Sequence, residues 1–77
     1  LFLVSYKMGE VQTILFPKDT YKVGEAREWL KMNKFIWNSK VDRERPNFLS
    51  FRQTEPTYKR YITKVLPNGV ELIIGYK

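Results

Sequence analysis

Cysteine and histidine are both absent from this sequence of 77 residues. The missing cysteines exclude a disulfide framework, a thiolate metal site and a thiol nucleophile. The missing histidines remove the commonest general base and the commonest ligand of transition metals. The carboxylates Asp42 and Glu44 are each flanked by arginine, which favours local ion pairs over catalysis or metal binding. We therefore expect a non-catalytic protein without a metal site.

Glycine is scarce, and long apolar runs are absent. The four glycines are scattered and form no Gly-rich phosphate loop, so we expect no nucleotide cofactor. No apolar run approaches the ~20 residues that span a bilayer, which predicts no membrane partner. Residues 1–6, LFLVSY, are too short for the core of a signal peptide and follow no basic region. Together with the missing cysteines, these features fit an intracellular or virion setting and predict no secretion by a signal peptide.

Acidic residues are outnumbered, with 8 Asp and Glu against 14 Lys and Arg, and the net charge is +6. Nine of the cations but only three of the acids fall within residues 29–64, so the whole excess lies in this middle segment. A one-sided basic region attracts polyanions such as nucleic acid or an anionic protein face. It also keeps a protein soluble, and the sequence leaves both interpretations open.

The length and the apolar content predict one small basic domain over residues 1–77. Met8 is compatible with a start codon, which would make residues 1–7 an N-terminal extension. Periodicity and turn residues predict an α+β fold in which one helix packs on a mainly antiparallel sheet of about four to six strands. The predicted helix is Val23–Asn33, and the predicted strands or extended segments are Leu1–Ser5, Val11–Phe16, Phe35–Val41, Asn47–Gln53, Tyr58–Leu66 and Val70–Tyr76.

Several details of this fold follow from the same patterns. The first two strands would form a hairpin, and the last three a meander closed by the turn Pro67-Asn68-Gly69. Strict alternation places Val11, Thr13 and Leu15 on one face of their strand. We expect Trp29 to anchor the helix in the core and Gly75 to permit a bulge or a close approach.

The most distinctive local chemistry lies in residues 51–64, FRQTEPTYKRYITK, where basic and aromatic side chains alternate around a turn at Glu55-Pro56. A basic surface with aromatic rings suits single-stranded nucleic acid. Alternation places Lys59 and Tyr61 on one face of their strand. We expect the other face, together with the neighbouring strand, to present four side chains, those of Arg52, Tyr58, Arg60 and Lys64. The candidate nucleic-acid-binding residues are Arg52, Tyr58, Lys59, Arg60, Tyr61 and Lys64.

The run from about residue 11 to residue 76 resembles a small uncharacterised protein family of tailed phages and large DNA viruses. The matching features are VQTILFPKD, EAREWLKMNKF, KVDRERPNFLSFRQTEP, YKRYITK and GVELIIGYK. The chain departs from the family near Val23-Gly24, where members usually have a better helix cap and a glutamate. The resemblance implies a viral source, and it transfers no activity.

Two functional hypotheses result. The first is a non-catalytic viral or phage module that binds nucleic acid through the basic and aromatic sheet surface. The second is a virion structural or protein-interaction component that uses an exposed sheet edge and the region around Trp37. Self-association through such an edge also stays open.

Overall fold

A computed structural model describes residues 9–77, so the predicted strand Leu1–Ser5 and its hairpin lie outside the described residues. One helix packs on a four-stranded antiparallel sheet, which confirms the predicted α+β class. In the described part of the chain no helix is both long and apolar enough to cross a bilayer. The elements are β1 (Gly9–Pro17), α1 (Val23–Met32), β2 (Phe48–Arg52), β3 (Arg60–Val65) and β4 (Glu71–Tyr76).

The strands lie in the order β2-β1-β4-β3, so the predicted meander of the last three strands is wrong. Only its final hairpin is present, where Gly69 takes a φ of 89° between β3 and β4. The connection from β2 to β3 crosses the ends of both central strands. It begins with the N–H groups of Gln53 and Thr54 on the carbonyl of Gln12 in β1. It ends with the N–H of Lys59 on the carbonyl of Tyr76 in β4.

A β-bulge at Gln12 breaks the strict alternation predicted for β1. Val11 pairs with Ile74, yet Thr13 pairs with Ile73, so Gln12 is the extra residue. Such a residue shifts the side-chain pattern by one position. Val11 therefore faces the core with Ile14 rather than the opposite face with Thr13.

The core lies between α1 and one face of the sheet, with Phe16 at its centre. The Phe16 ring is fully buried and makes edge-to-face contacts with Tyr21, Trp29 and Phe51, at centroid distances of 5.3, 5.7 and 5.5 Å. Such pairs add roughly 0.5–1.5 kcal/mol each beyond area burial. Trp29 packs against this cluster, which confirms the prediction that it anchors the helix.

Helix α1 ends in a turn that has a lysine at the position usually occupied by glycine. The N–H of Phe35 donates to the carbonyl of Leu30 at 2.9 Å, and that of Lys34 to the carbonyl of Lys31 at 3.2 Å. This is a Schellman motif, in which the left-handed residue is usually glycine. Here Lys34 takes that place with a φ of 63°. The ring of Phe35 closes the motif by stacking on Trp29 at 6.0 Å.

Residues 35–41, predicted as a strand or extended segment, do not form a strand, because the chain between α1 and β2 is irregular. The left-handed turn at Lys34 brings the Phe35 ring onto Trp29, and no ladder forms in residues 35–41. A single bridge follows, in which Asp42 and Ser50 exchange two backbone hydrogen bonds of 2.9 and 3.0 Å. We call residues 36–45 of this connection the wall segment.

Replacing Lys34 with glycine should stabilise the protein. A left-handed conformation costs an L-residue roughly 1–2 kcal/mol, and part of that gain is lost to the greater unfolded-chain entropy of glycine. We expect a net gain of about 1 kcal/mol and a rise of roughly 4–8 °C in Tm, measured by thermal unfolding. The matched control is Glu28→Gly, exposed within α1, which should lower Tm by a similar amount. A fall in Tm for Lys34→Gly would contradict the assignment of the helix end.

Candidate polyanion-binding groove

The structure does not bring the sequence-predicted site residues together on one surface. Arg52 ends β2 and Lys64 lies in β3, and these strands form opposite edges of the sheet rather than neighbours. Strand pairing places Arg60 and Lys64 on the helix side, opposite Tyr76 and Leu72. The Arg60 guanidinium lies 4.5 Å from the centroid of the Tyr76 ring. The expectation of one face on two neighbouring strands is therefore wrong.

The two tyrosines of the predicted site, Tyr58 and Tyr61, differ in whether their side chains are free to contact a ligand. Tyr58 lies so close to Gly75 that a Cβ added there would be 2.3 Å from the ring, which confirms the predicted close approach. The Tyr58 hydroxyl contacts the Glu10 carboxylate and lies 2.9 Å from the Thr54 hydroxyl. The bond to Glu10 is the main cause that raises the pKa of Tyr58. Tyr58 thus fastens the crossing connection to the sheet, whereas Tyr61, in edge contact with it at 5.8 Å, stays half exposed.

A groove of about 910 Å³ opens on the face of the sheet opposite the helix, beside β2. Its floor consists of strand residues, and the wall segment forms one side. Arg52 is the one member of the predicted site that lines it. The lining residues are Gln12, Thr13, Ser39, Lys40, Val41, Asp42, Arg43, Glu44, Arg45, Ser50, Arg52 and Pro56. We call this the basic groove.

Cations dominate the basic groove, with four among its lining residues against two carboxylates. Asp42 turns one carboxylate oxygen toward its own chain, where it accepts the N–H of Glu44 at 2.9 Å. Arg52 pairs with Glu55 at 3.7 Å, and both side chains are largely exposed. Exposed pairs of this kind contribute only ~0–1 kcal/mol, so a stronger anionic partner can displace Glu55. Within residues 9–77, no other ion pair shorter than 4 Å engages the basic side chains of the groove.

The wall segment keeps its place because side chains satisfy its backbone. Arg27 of α1 donates from one guanidinium nitrogen to the carbonyls of Trp37 and Ser39, at 2.5 and 2.9 Å. Its guanidinium also lies 5.3 Å from the centroid of the buried Phe51 ring. The Gln53 side chain binds the backbone of Ile36 as a neighbouring strand would. Its amide oxygen accepts the N–H of Ile36 at 2.8 Å, and its amide nitrogen donates to the carbonyl of Ile36 at 2.9 Å.

The floor of the basic groove is polar and ordered. Thr13 and Ser50 are both buried there, and the Thr13 hydroxyl donates to the Gln12 side chain at 2.8 Å. Gln12 in turn donates to the carbonyl of Thr54 at 3.1 Å, which ties the crossing connection to the bulge. None of the lining residues of this groove is aromatic. The groove is therefore suited to bind phosphate oxygens rather than to stack bases.

Sequence reasoning missed three groove cations, Lys40, Arg43 and Arg45. Their charges contribute to the basic middle segment, but the sequence predicts no contact between residues 40–45 and β1. A usable signal was Arg-Pro at residues 45–46, which predicts extended backbone before β2. In the described part of the chain, no three acidic side chains lie close enough together to hold a metal ion.

Replacing Arg27 with methionine should loosen the wall segment, because two carbonyls lose a charged donor. We expect the free energy of unfolding to fall by about 1–3 kcal/mol. Amide hydrogen exchange in residues 36–45 should accelerate more than exchange in β1 and β4. The matched control is Arg45→Met, which removes an exposed cation from the same segment and should change neither quantity appreciably. Unchanged exchange across residues 36–45 would show that Arg27 does not hold the wall.

Comparison with protein-family models, with curated proteins and with solved structures finds no match to this chain. The resemblance to a family of phages and large DNA viruses therefore stays a prediction. Function must be argued from the charge and geometry of the chain itself, in which the basic groove combines four cations with a polar floor.

Proposed function

We propose that this protein is a non-catalytic binding module that holds the sugar–phosphate backbone of a single-stranded nucleic acid in the basic groove. The observation that carries the proposal is the convergence of four cations on one concave surface with hydroxyl groups at its floor. Cationic side chains bind phosphates by charge, and the hydroxyl of Ser50 can donate a hydrogen bond, whereas that of Thr13 already donates to Gln12. A chain that needed cations only for solubility has no reason to collect them around a concavity.

The size of the groove favours a single strand over a duplex. A volume of about 910 Å³ corresponds to a cube about 10 Å on a side. A double helix is broader than its own major groove of about 12 Å, so it could lie across the opening but not within it. A single strand can pass through with its phosphates toward Arg43 and Arg45 and its bases outward. Proteins without sequence preference follow the backbone of a single strand with a positively charged groove, and most add aromatic side chains that stack on the bases. This groove has the charge without the aromatic side chains, so we expect contacts to the phosphates alone.

The viral or phage source and the virion or host intracellular location stay predictions. The alternative function, a structural or protein-interaction component of a virus particle, draws its support from a different part of the molecule. That part is the sheet edge at β3, which β4 separates from the strands of the groove floor, β1 and β2.

Two triple variants with equal net charge test the proposal. The first, the groove variant, replaces Lys40, Arg43 and Arg45 with glutamine and removes three cations from the groove. The second, the β3-edge variant, replaces Lys59, Arg60 and Lys64 with glutamine and removes three cations of the predicted site at the other sheet edge. Because both variants lose three positive charges, bulk electrostatic attraction falls equally in each.

Binding of a fluorescent oligothymidylate is measured by anisotropy between about 50 and 200 mM salt. Each phosphate contact contributes roughly −0.7 to the slope of log K against log salt. We expect a slope of about −3 for the native protein and the β3-edge variant, and about −1 for the groove variant. Equal slopes in the two variants would contradict the proposal, as would the absence of binding by the native protein at the lowest salt.

A further inference from the structure

The two edges of the sheet differ in their protection. The outer edge of β2 is bridged by Asp42, whose backbone exchanges two hydrogen bonds with Ser50. The outer edge of β3 has no strand beside it among residues 9–77. All six residues of β3 are exposed, from Arg60 to Val65. An edge of this kind presents a row of unpaired N–H and carbonyl groups.

The side chains of β3 add to this edge both apolar surface and positive charge. Tyr61, Ile62 and Val65 are 41%, 40% and 62% exposed, which is high for β-branched and aromatic side chains in a sheet. Arg60 and Lys64 flank Ile62 on the helix side. The edge therefore combines free backbone groups, apolar contact area and two cations on one side.

We propose that the outer edge of β3 is a docking site for an extended acidic segment of a partner protein, which adds to the sheet as a fifth strand. Strand addition uses main-chain hydrogen bonds for affinity and alternating side chains for specificity. Opposite Arg60 and Lys64 the segment carries acidic residues, and opposite Ile62 it carries an apolar one. On the other face it carries apolar residues opposite Tyr61 and Val65.

Charge complementarity selects this occupant over a second copy of the chain. If two copies paired antiparallel about Ile62, Arg60 of one copy would face Lys64 of the other. If they paired about Thr63, the two Lys64 side chains would be diagonal neighbours. Like charges in either position destabilise strand pairing. Basic residues on an edge strand therefore block self-pairing and leave the edge open to an acidic strand.

The experiment uses the full chain and the peptide SVETVVES with blocked ends, which follows this pattern in the antiparallel direction. We expect binding by fluorescence anisotropy, and at least a tenfold loss for the variant with glutamine at Lys59, Arg60 and Lys64. The variant with glutamine at Lys40, Arg43 and Arg45 should bind the peptide like the native protein. The same peptide with lysine in place of its two glutamates should not bind.

Two forms of the peptide test strand addition itself. N-methylation of one set of alternate residues should abolish binding, whereas N-methylation of the other set should leave it within about threefold, because only every second N–H of an added strand points to the sheet. Equal effects of the two sets would overturn the proposal. So would a dimer of the native chain in sedimentation that the β3-edge variant abolishes, since a second copy would then occupy the edge.

This inference stands apart from nucleic-acid binding. The β3-edge variant should lose the peptide and keep the oligothymidylate, and the groove variant should do the reverse. Failure of one proposal therefore leaves the other measurable in the same two proteins. The Tm of the β3-edge variant should fall by only a few degrees, because its replaced side chains are exposed and the contact of Arg60 with the Tyr76 ring contributes about 0.5–1 kcal/mol.

Discussion

Arg27 connects the core of this protein to its candidate functional surface. Its guanidinium rests against the Phe51 ring and donates to two carbonyls of the wall segment. That segment has one bridge to β2 and otherwise no ladder of its own. Removing its backbone N–H and carbonyl groups from water would destabilise the fold unless side chains formed hydrogen bonds with them. The shape of the basic groove thus depends on two charged donors and one amide. Arg27 of α1 binds the first half of the wall segment, Lys18 donates to the carbonyl of Arg43 at 3.0 Å, and the amide of Gln53 binds Ile36.

One edge of the sheet is covered and the other is open, and the molecule therefore has two different surfaces. At β2 the irregular connection bridges the edge and carries cations to a concave surface. At β3 the ladder ends without a neighbour in the described residues, and the exposed side chains are both apolar and basic. Since β1 and β4 lie between these edges, a ligand at one does not exclude a ligand at the other. If both proposals hold, the domain joins a nucleic acid to an acidic protein strand.

The elements that sequence reasoning predicts well are those whose signals are local. The stripe of Ala26 and Leu30 identifies α1, and Pro67-Asn68-Gly69 identifies the final hairpin. The bulge at Gln12 and the order of the strands depend on contacts with residues about forty positions away, such as Thr54. The same holds for the site. The local setting of Arg52 identifies it as a candidate, whereas Lys40 and its neighbours reach the groove because distant residues, Arg27, Gln53 and Lys18, hold the wall segment.

The central claim is that a single-stranded nucleic acid lies in the basic groove. Titration of the 15N-labelled full chain with unlabelled oligothymidylate, followed by amide chemical shifts, tests it without any substitution. The account predicts that the largest shifts fall in residues 39–45 and at Thr13, Ser50 and Arg52, the residues that line the groove. Largest shifts in residues 58–64, with residues 39–45 unchanged, would place the nucleic acid on the opposite edge of the sheet and contradict the account.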